Sequence, residues 1–385
     1  MHRQSYAEIN LSNLNYNAEI IHKISNCPKF FCPMIKANAY GHGDFEIAKA
    51  LLKTKMSHLG VGLIEEALSL RQKNITAPIL VFGMFDSNSC AALIENNITP
   101  VISEFDKLEY LREKLPKSQR LKIHLKFNTG MNRLGIDLLQ AKQVLKFLEE
   151  NENFVLEGIC THLFNAEDAG DPNGESFRQI QKFFQYSESF KNKAHYSHAL
   201  TSSAIANLFL RAKHGKQNLP LEISDLGIRP GIALYGGEVS THEAGQLDLR
   251  PVMSLKSKLA KVQTVRKNEV ISYGARWQAK SETVVGVVPL GYADGYFRGL
   301  TNVGEVLCHG AILPVVGTVC MDYFMVDLSS IANQVKVQIG DEVVLIGKQK
   351  DKQILASDLA KKVGTISYEI LARISARVPR VYVTG

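Results

Sequence analysis

From residue 30 to about residue 236 the chain alternates short apolar or β-branched runs with segments whose apolar residues recur every three or four positions. The runs occupy 30–36, 58–63, 78–82, 99–103, 121–128, 154–162, 196–199 and 226–229. Between them, stretches such as "LLQAKQVLKFLEE" and "ESFRQIQKFFQYSESF" carry the helical period. Eight strands separated by seven helices leave few topologies, because each crossover lays its helix outside and sets the next strand parallel to the last. The expected fold is α/β, an N-terminal (β/α)8 TIM barrel, preceded by one more helix in "LSNLNYNAEIIHKI".

After about residue 240 the helical segments stop, and β runs such as "SLKSKLAKVQTV", "ETVVGVVPL", "AILPVVGTVCMDYFMVDL" and "DEVVLIG" follow one another. A barrel domain over 1–240 and an all-β C-terminal domain over 241–385 are expected. A chain of 385 residues exceeds one ordinary core, which suits that division. Apolar content of 45% with 22% charge excludes a disordered chain. The opening "MHRQSY" lacks the apolar core of a signal peptide, and no run nears the ~18 apolar residues of a membrane span. A cytoplasmic protein without a membrane partner is expected. Six cysteines without a Cys-x-x-Cys pair suggest neither a zinc ribbon nor a disulfide framework. The net charge of +7 is dispersed, so it points to a small anionic ligand and away from nucleic acid.

In such barrels the chemistry sits at the C-terminal ends of the strands. Lys36 closes the first strand, Arg133 follows the fifth, His162 closes the sixth, Ser202 follows the seventh and Arg229 closes the eighth. Five polar groups therefore converge on one mouth. On the fifth strand, "LKIHLKFN", the apolar set Leu121, Ile123, Leu125 and Phe127 suits the helices, which turns Lys122, His124, Lys126 and Asn128 inward. A buried Lys126 near Arg133 should have a lowered pKa. An anion explains Arg133, Arg229 and the helix start at Thr201-Ser202, where a hydroxyl and free amides make a phosphate seat. The glycine of "RPGI", residues 229–232, allows close backbone approach. A lysine able to condense with an aldehyde, a phosphate seat and a floor arginine together describe pyridoxal 5'-phosphate.

Eight motifs extend this reading: "IKANAYGHG" (35–43), "KFNTGMNRLG" (126–135), "THL" (161–163), "LGIRPGIALYG" (226–236), "SYGARW" (272–277), "GYADGY" (291–296), "GTVCMDYFMVDL" (317–328) and "RVPRVY" (377–382). In order and spacing they resemble the bacterial alanine racemases over nearly the whole chain. The resemblance implies a fold type III pyridoxal phosphate enzyme that interconverts L-alanine and D-alanine and supplies D-alanine for peptidoglycan. It also implies that Lys36 holds the cofactor and is the base on the D-alanine side, with Tyr273 the opposite base. That tyrosine comes from the partner subunit in this family, so a homodimer with shared sites is expected. Tyr40, Ser202, Gly231 and Ile232 match phosphate-binding positions. Arg133 matches the contact to the phenolic oxygen and substrate carboxylate, Met321 a backbone contact to that carboxylate, and Tyr292 a gate. His162 resembles a link between the catalytic tyrosine and the arginine under the ring.

Arg229 is placed to meet the ring nitrogen. A guanidinium does not hand over its proton, so the ring stays a weak electron acceptor, and bases on both faces are needed to outrun transamination. Some members carry a carbamate at the position of Lys126, although Asn128 stands where others have Asp. Ala376 replaces a tyrosine that others place near the phosphate, which leaves a broader amino-acid (serine) racemase as the alternative. A metal-dependent hydrolase built on His124, His162 and Asp225 lacks the His-x-His pair its first strand needs, and no metal is expected. A non-catalytic carrier of the cofactor has no use for Tyr273, and a basic amino-acid decarboxylase should hold an acid where Arg229 stands.

Overall fold

The computed structural model describes residues 3–169, 171–213, 221–239 and 247–384, so the expected boundary at 240/241 lies outside the described residues. Seven parallel strands, Leu59–Val61, Ile79–Val81, Thr99–Ile102, Leu121–Lys126, Phe154–Cys160, Tyr196–Leu200 and Gly227–Ile228, pair in chain order. The eighth member is the 30–36 segment, which closes the barrel by single bridges from Phe31 to Ile228 and from Met34 to Gly60. Its amides alternate between the two neighbours: Cys32 donates to Ile228 (2.9 Å) and Ile35 to Gly60 (2.8 Å). Pro33 has no N–H to add to that ladder, so the segment pairs at isolated points where a strand is expected.

The expected seven helices intervene: Asp44–Leu51, Ile64–Gln72, Cys90–Glu95, Asp106–Lys114, Leu138–Glu150, Glu175–Ser187 and Ser202–Lys213. The opening helix, Leu11–Ile24, is capped by the Asn10 side chain, which accepts from the Asn13 amide at 2.9 Å. Inside the barrel the fifth strand behaves as its alternation requires. His124 and Lys126 are buried inside the barrel, while Lys122 reaches the rim.

The second body is β-rich. A sheet runs Ala311–Pro314, Glu305–Cys308, Glu342–Gln349, Met253–Lys258, Tyr6–Asn10, Arg380–Val383, and three more strands form a separate sheet. Two features differ from the sequence reading. The first strand of the chain, Tyr6–Asn10, lies in this C-terminal sheet, parallel to Arg380–Val383 and antiparallel to Met253–Lys258. Short helices, Ser329–Ala332, Ala356–Val363 and Ser367–Ala372, interrupt the β runs; each is too brief for helical periodicity to stand out. The last of them packs on the turn after Lys36. Arg380 ties the same turn down by donating to the Gly41 carbonyl at 2.7 and 2.9 Å.

Candidate active site

Residues 37–40 make an unusual turn. Ala37, Asn38, Ala39 and Tyr40 all sit at φ 53°, a left-handed stretch that costs non-glycine residues ~1–2 kcal/mol each. Side-chain hydrogen bonds offset this cost. Glu66 accepts from the Ala37 amide at 2.5 Å and from the Gly62 amide at 2.7 Å, and Asn38 accepts from the Asp44 amide at 2.9 Å. The small residues at 37 and 39 limit the strain. The turn buries Tyr40 and leaves Lys36 at the barrel mouth.

There Lys36 faces a cavity of about 360 Å³, lined also by Tyr40, Lys126, Arg133, His162, Ser202, Arg229, Gly231 and Ile232. Nine of the residues singled out from sequence thus meet in one place. Among the described residues four cations line the cavity and no carboxylate does. Solvent reaches Lys36 through the mouth, yet the crowding of protein atoms lowers its pKa first by desolvation, then through Arg133 and Arg229. Lys126 is buried, and desolvation with the nearby Arg229, Arg133 and Lys36 pulls it down to about 8. Burial, followed by Arg229, Lys126, Arg133 and Lys36, depresses the His162 imidazole well below its ordinary value, so it is neutral.

At one end of the cavity Ser202 opens the helix Ser202–Lys213, and its Oγ accepts from the amides of Gly231 (3.0 Å) and Ala233 (3.2 Å). With two donors already on that oxygen, the hydroxyl's own hydrogen is left for an anion. The Tyr40 hydroxyl approaches Gly231 so closely that a Cβ there would overlap it. At the floor Arg229 is 4% exposed, donates to His198 Nδ1 and to the Thr161 carbonyl at 2.7 Å each, and lies 5.6 Å from the Phe82 ring centroid. Arg133 has no hydrogen-bond or ion-pair partner among the described residues and remains free to meet an anion. Asn128 shapes its loop by accepting from the Gly130 and Asn132 amides.

The donor set fits pyridoxal phosphate. An amine, a hydroxyl-and-amide cradle that a Cβ at 231 would fill, and a buried guanidinium line one cavity.

Three expected residues lie elsewhere. Tyr273 is 75% exposed, and Tyr292 and Met321 are also exposed, all on the β-rich body and none lining this cavity. They share one surface: the Tyr292 amide donates to the Cys320 carbonyl, and Ser272 lies 3.2 Å from the Cys320 sulfur. The imidazole that meets Arg229 belongs to His198, which the sequence reading missed although it alternates inward in "YSHAL". Tyr368 also lines the cavity. Its helix falls within a stretch read as β, so no signal marked it. His124 does not join His162 and Asp225. It meets His58 and Glu157 lower in the barrel.

Residues 9–239 match the family described as alanine racemase, N-terminal domain, and residues 252–382 the alanine racemase, C-terminal domain. The chain is 37% identical to the alanine racemase of Methanococcus maripaludis, covering 98% of both chains. It is also 37% identical to that of Carboxydothermus hydrogenoformans, over 99% of this chain and all of that one. Among solved structures it resembles alanine racemase from Bacillus anthracis with bound L-Ala-P, at a TM-score of 0.88 and 31% identity, covering 100% of this chain and 96% of that one.

Proposed function

The chain belongs to the alanine racemase family, and on that premise we propose that it interconverts L-alanine and D-alanine with pyridoxal 5'-phosphate, using Lys36 and Tyr273 as bases on opposite faces of the substrate. It is an isomerase. The observation that carries the reading is the cavity's charge: Lys36, Lys126, Arg133 and Arg229 line it without a carboxylate among the described residues, as a phosphate and an amino-acid carboxylate together require. The name that the curated relatives carry favours alanine over a broader range of amino acids.

When bound, the cofactor supplies a ring that withdraws electrons from the substrate's α-carbon. The chain does the rest. Lys36, with its lowered pKa, holds the cofactor and carries the proton on the D-alanine face. Ser202, Gly231, Ile232 and the Tyr40 hydroxyl hold the phosphate. Arg229, unable to release its proton, would meet the ring nitrogen and would keep the ring a weak acceptor. Arg133 and the Met321 backbone bind the substrate carboxylate, and Tyr292 gates the entrance. His162, in the cavity lining, would link the Tyr273 phenol to Arg229.

Tyr273 is exposed and is not among the residues that line the cavity at Lys36, which supports a homodimer in which each β-rich surface completes the other chain's site. Lys126, buried without an acidic partner among the described residues and partly neutral near pH 8, is suited to react with carbon dioxide, giving a carbamate that can pair with Arg133. We place the division between barrel and β-rich domain near residue 240. The D-alanine formed would serve peptidoglycan in the cytoplasm. No helix among the described residues is long and apolar enough to cross a membrane.

The test is α-hydrogen exchange in deuterium oxide with each alanine enantiomer, using protein loaded with cofactor. Exchange of both, with interconversion, is expected. A protein that loads cofactor yet exchanges neither enantiomer would overturn the reading.

A further inference from the structure

Arg229 is a buried cation with no carboxylate against it among the described residues. Its hydrogen bonds go to His198, Thr161 and Ala199. A buried charge without compensation is costly, so the balance has to come from further away. A line of side chains leads down the barrel axis: His198 Nε2 is 2.8 Å from His124 Nδ1, and His124 Nε2 is 3.3 Å from Glu157 Oε2. At the far end Glu157 receives His58 at 3.2 Å and Lys122 at 2.6 Å.

The protons on this line have only one arrangement. A guanidinium only donates, so His198 Nδ1 accepts and its proton sits on Nε2. His198 therefore donates to His124 Nδ1, and the His124 proton also sits on Nε2, facing the carboxylate. A second proton on either ring would set N–H against N–H. Burial agrees, pushing His124 to about 4 and His198 well below the ordinary range. Phe30 stacks on His198 with centroids 4.2 Å apart, and a Cβ on Gly158 would overlap the His124 ring, so both planes are held.

We propose that Glu157 is a positioning residue: through His124 and His198 it serves as the counter-ion of Arg229 and fixes how the guanidinium faces the cavity. The relay stands on geometry alone, and its consequence for turnover rests on the racemase reading above. His58, His124 and Glu157 also bring their ligating atoms within 4.8 Å of one another, as a metal site would. The Lys122 ammonium on the same carboxylate opposes a dication, which favours the hydrogen-bonded relay.

The experiment is nitrogen-15 NMR of the full-length holoenzyme, reading the His124 and His198 ring nitrogens and the Arg229 guanidinium. Both rings should be neutral Nε2–H tautomers from about pH 6 to 8. Glu157→Gln keeps an acceptor but removes the charge, and should shift the Arg229 resonance. It should also lower kcat about ten-fold while KM stays within about two-fold. Lys122→Met removes the rim cation and should shift the same resonance the opposite way. Three results would overturn the proposal: an Arg229 resonance unmoved in folded Glu157→Gln, a His124 proton on Nδ1, or one equivalent of zinc chloride bound with loss of the His124 Nε2 proton. If Glu157→Gln does not fold, an unmoved resonance in Lys122→Met decides against it. Shifted resonances in a protein that racemises nothing would keep the relay and reject the racemase reading.

Discussion

The Leu371 carbonyl lies where a side chain at residue 41 would have to go: a Cβ on Gly41 would overlap it, and Gly41 is also left-handed at φ 85°. The C-terminal helix Ser367–Ala372 is thereby pressed onto the turn that follows Lys36. Gly41→Ala should cost about 3 kcal/mol of stability, combining backbone strain with a contact that must separate. It should also weaken cofactor binding, because the turn carries both Lys36 and Tyr40. Urea denaturation and cofactor titration check this, and an unchanged midpoint would show that the two bodies do not brace each other here.

The proposed sharing of sites between two chains makes an arithmetic prediction. Lys36→Ala and Tyr273→Phe should each be inactive as pure dimers. Unfolded and refolded together in equal amounts, they should recover about one quarter of wild-type activity, since half the dimers are hybrids and each hybrid has one intact site. Recovery of nothing would mean that lysine and tyrosine serve from the same chain, and activity in the pure Tyr273→Phe dimer would mean that Tyr273 has no part in the chemistry.

The strand order was legible because periodicity records burial, and burial decides the barrel. Lys36, Arg133, His162, Ser202 and Arg229 were legible for a related reason: strand ends point to one mouth, wherever the helices lie. Close backbone approach leaves a fainter trace. "YGHG" shows two glycines, but not that Leu371 and the Tyr382 hydroxyl are what they make room for. The Tyr6–Asn10 strand joins partners some 250 and 375 residues away, and local pattern carries no information about such pairing. His198 was missed because a histidine amid "YSHAL" looks like an ordinary core residue until Arg229 is seen against it.

Charge reversal at the floor should redirect the chemistry. In Arg229→Glu a carboxylate would face His198, whose Nδ1 now accepts, so the imidazole must turn or take up its proton on that side. The cofactor should still bind, while racemisation falls by at least ~100-fold and transamination takes a larger share of turnover. Keto-acid formation measured alongside racemisation checks this, and an unchanged ratio of the two would remove Arg229 from control of the ring.

Lys126 offers a test in the apoprotein. Its folded pKa is about 8 against an ordinary 10.5, with desolvation as the leading cause, followed by the opposing influence of Cys160 and then the cations Arg229, Arg133 and Lys36. Between these two values the unfolded chain binds more protons than the folded one, so stability rises with pH through that window. Below about pH 8 the folded state bears the full cost of the buried ammonium. Lys126→Met, which keeps the length and drops the charge, should therefore be more stable than wild type by about 1–3 kcal/mol near pH 7 in buffer free of carbon dioxide. The advantage should shrink as pH rises toward 10. Adding bicarbonate should narrow the gap at neutral pH as well, because a carbamate replaces the cation with an anion amid three positive neighbours, and carbon-13 bicarbonate should give a carbamate resonance absent from Lys126→Met. A stability difference that ignores both pH and bicarbonate would mean that Lys126 carries its ordinary charge into the fold.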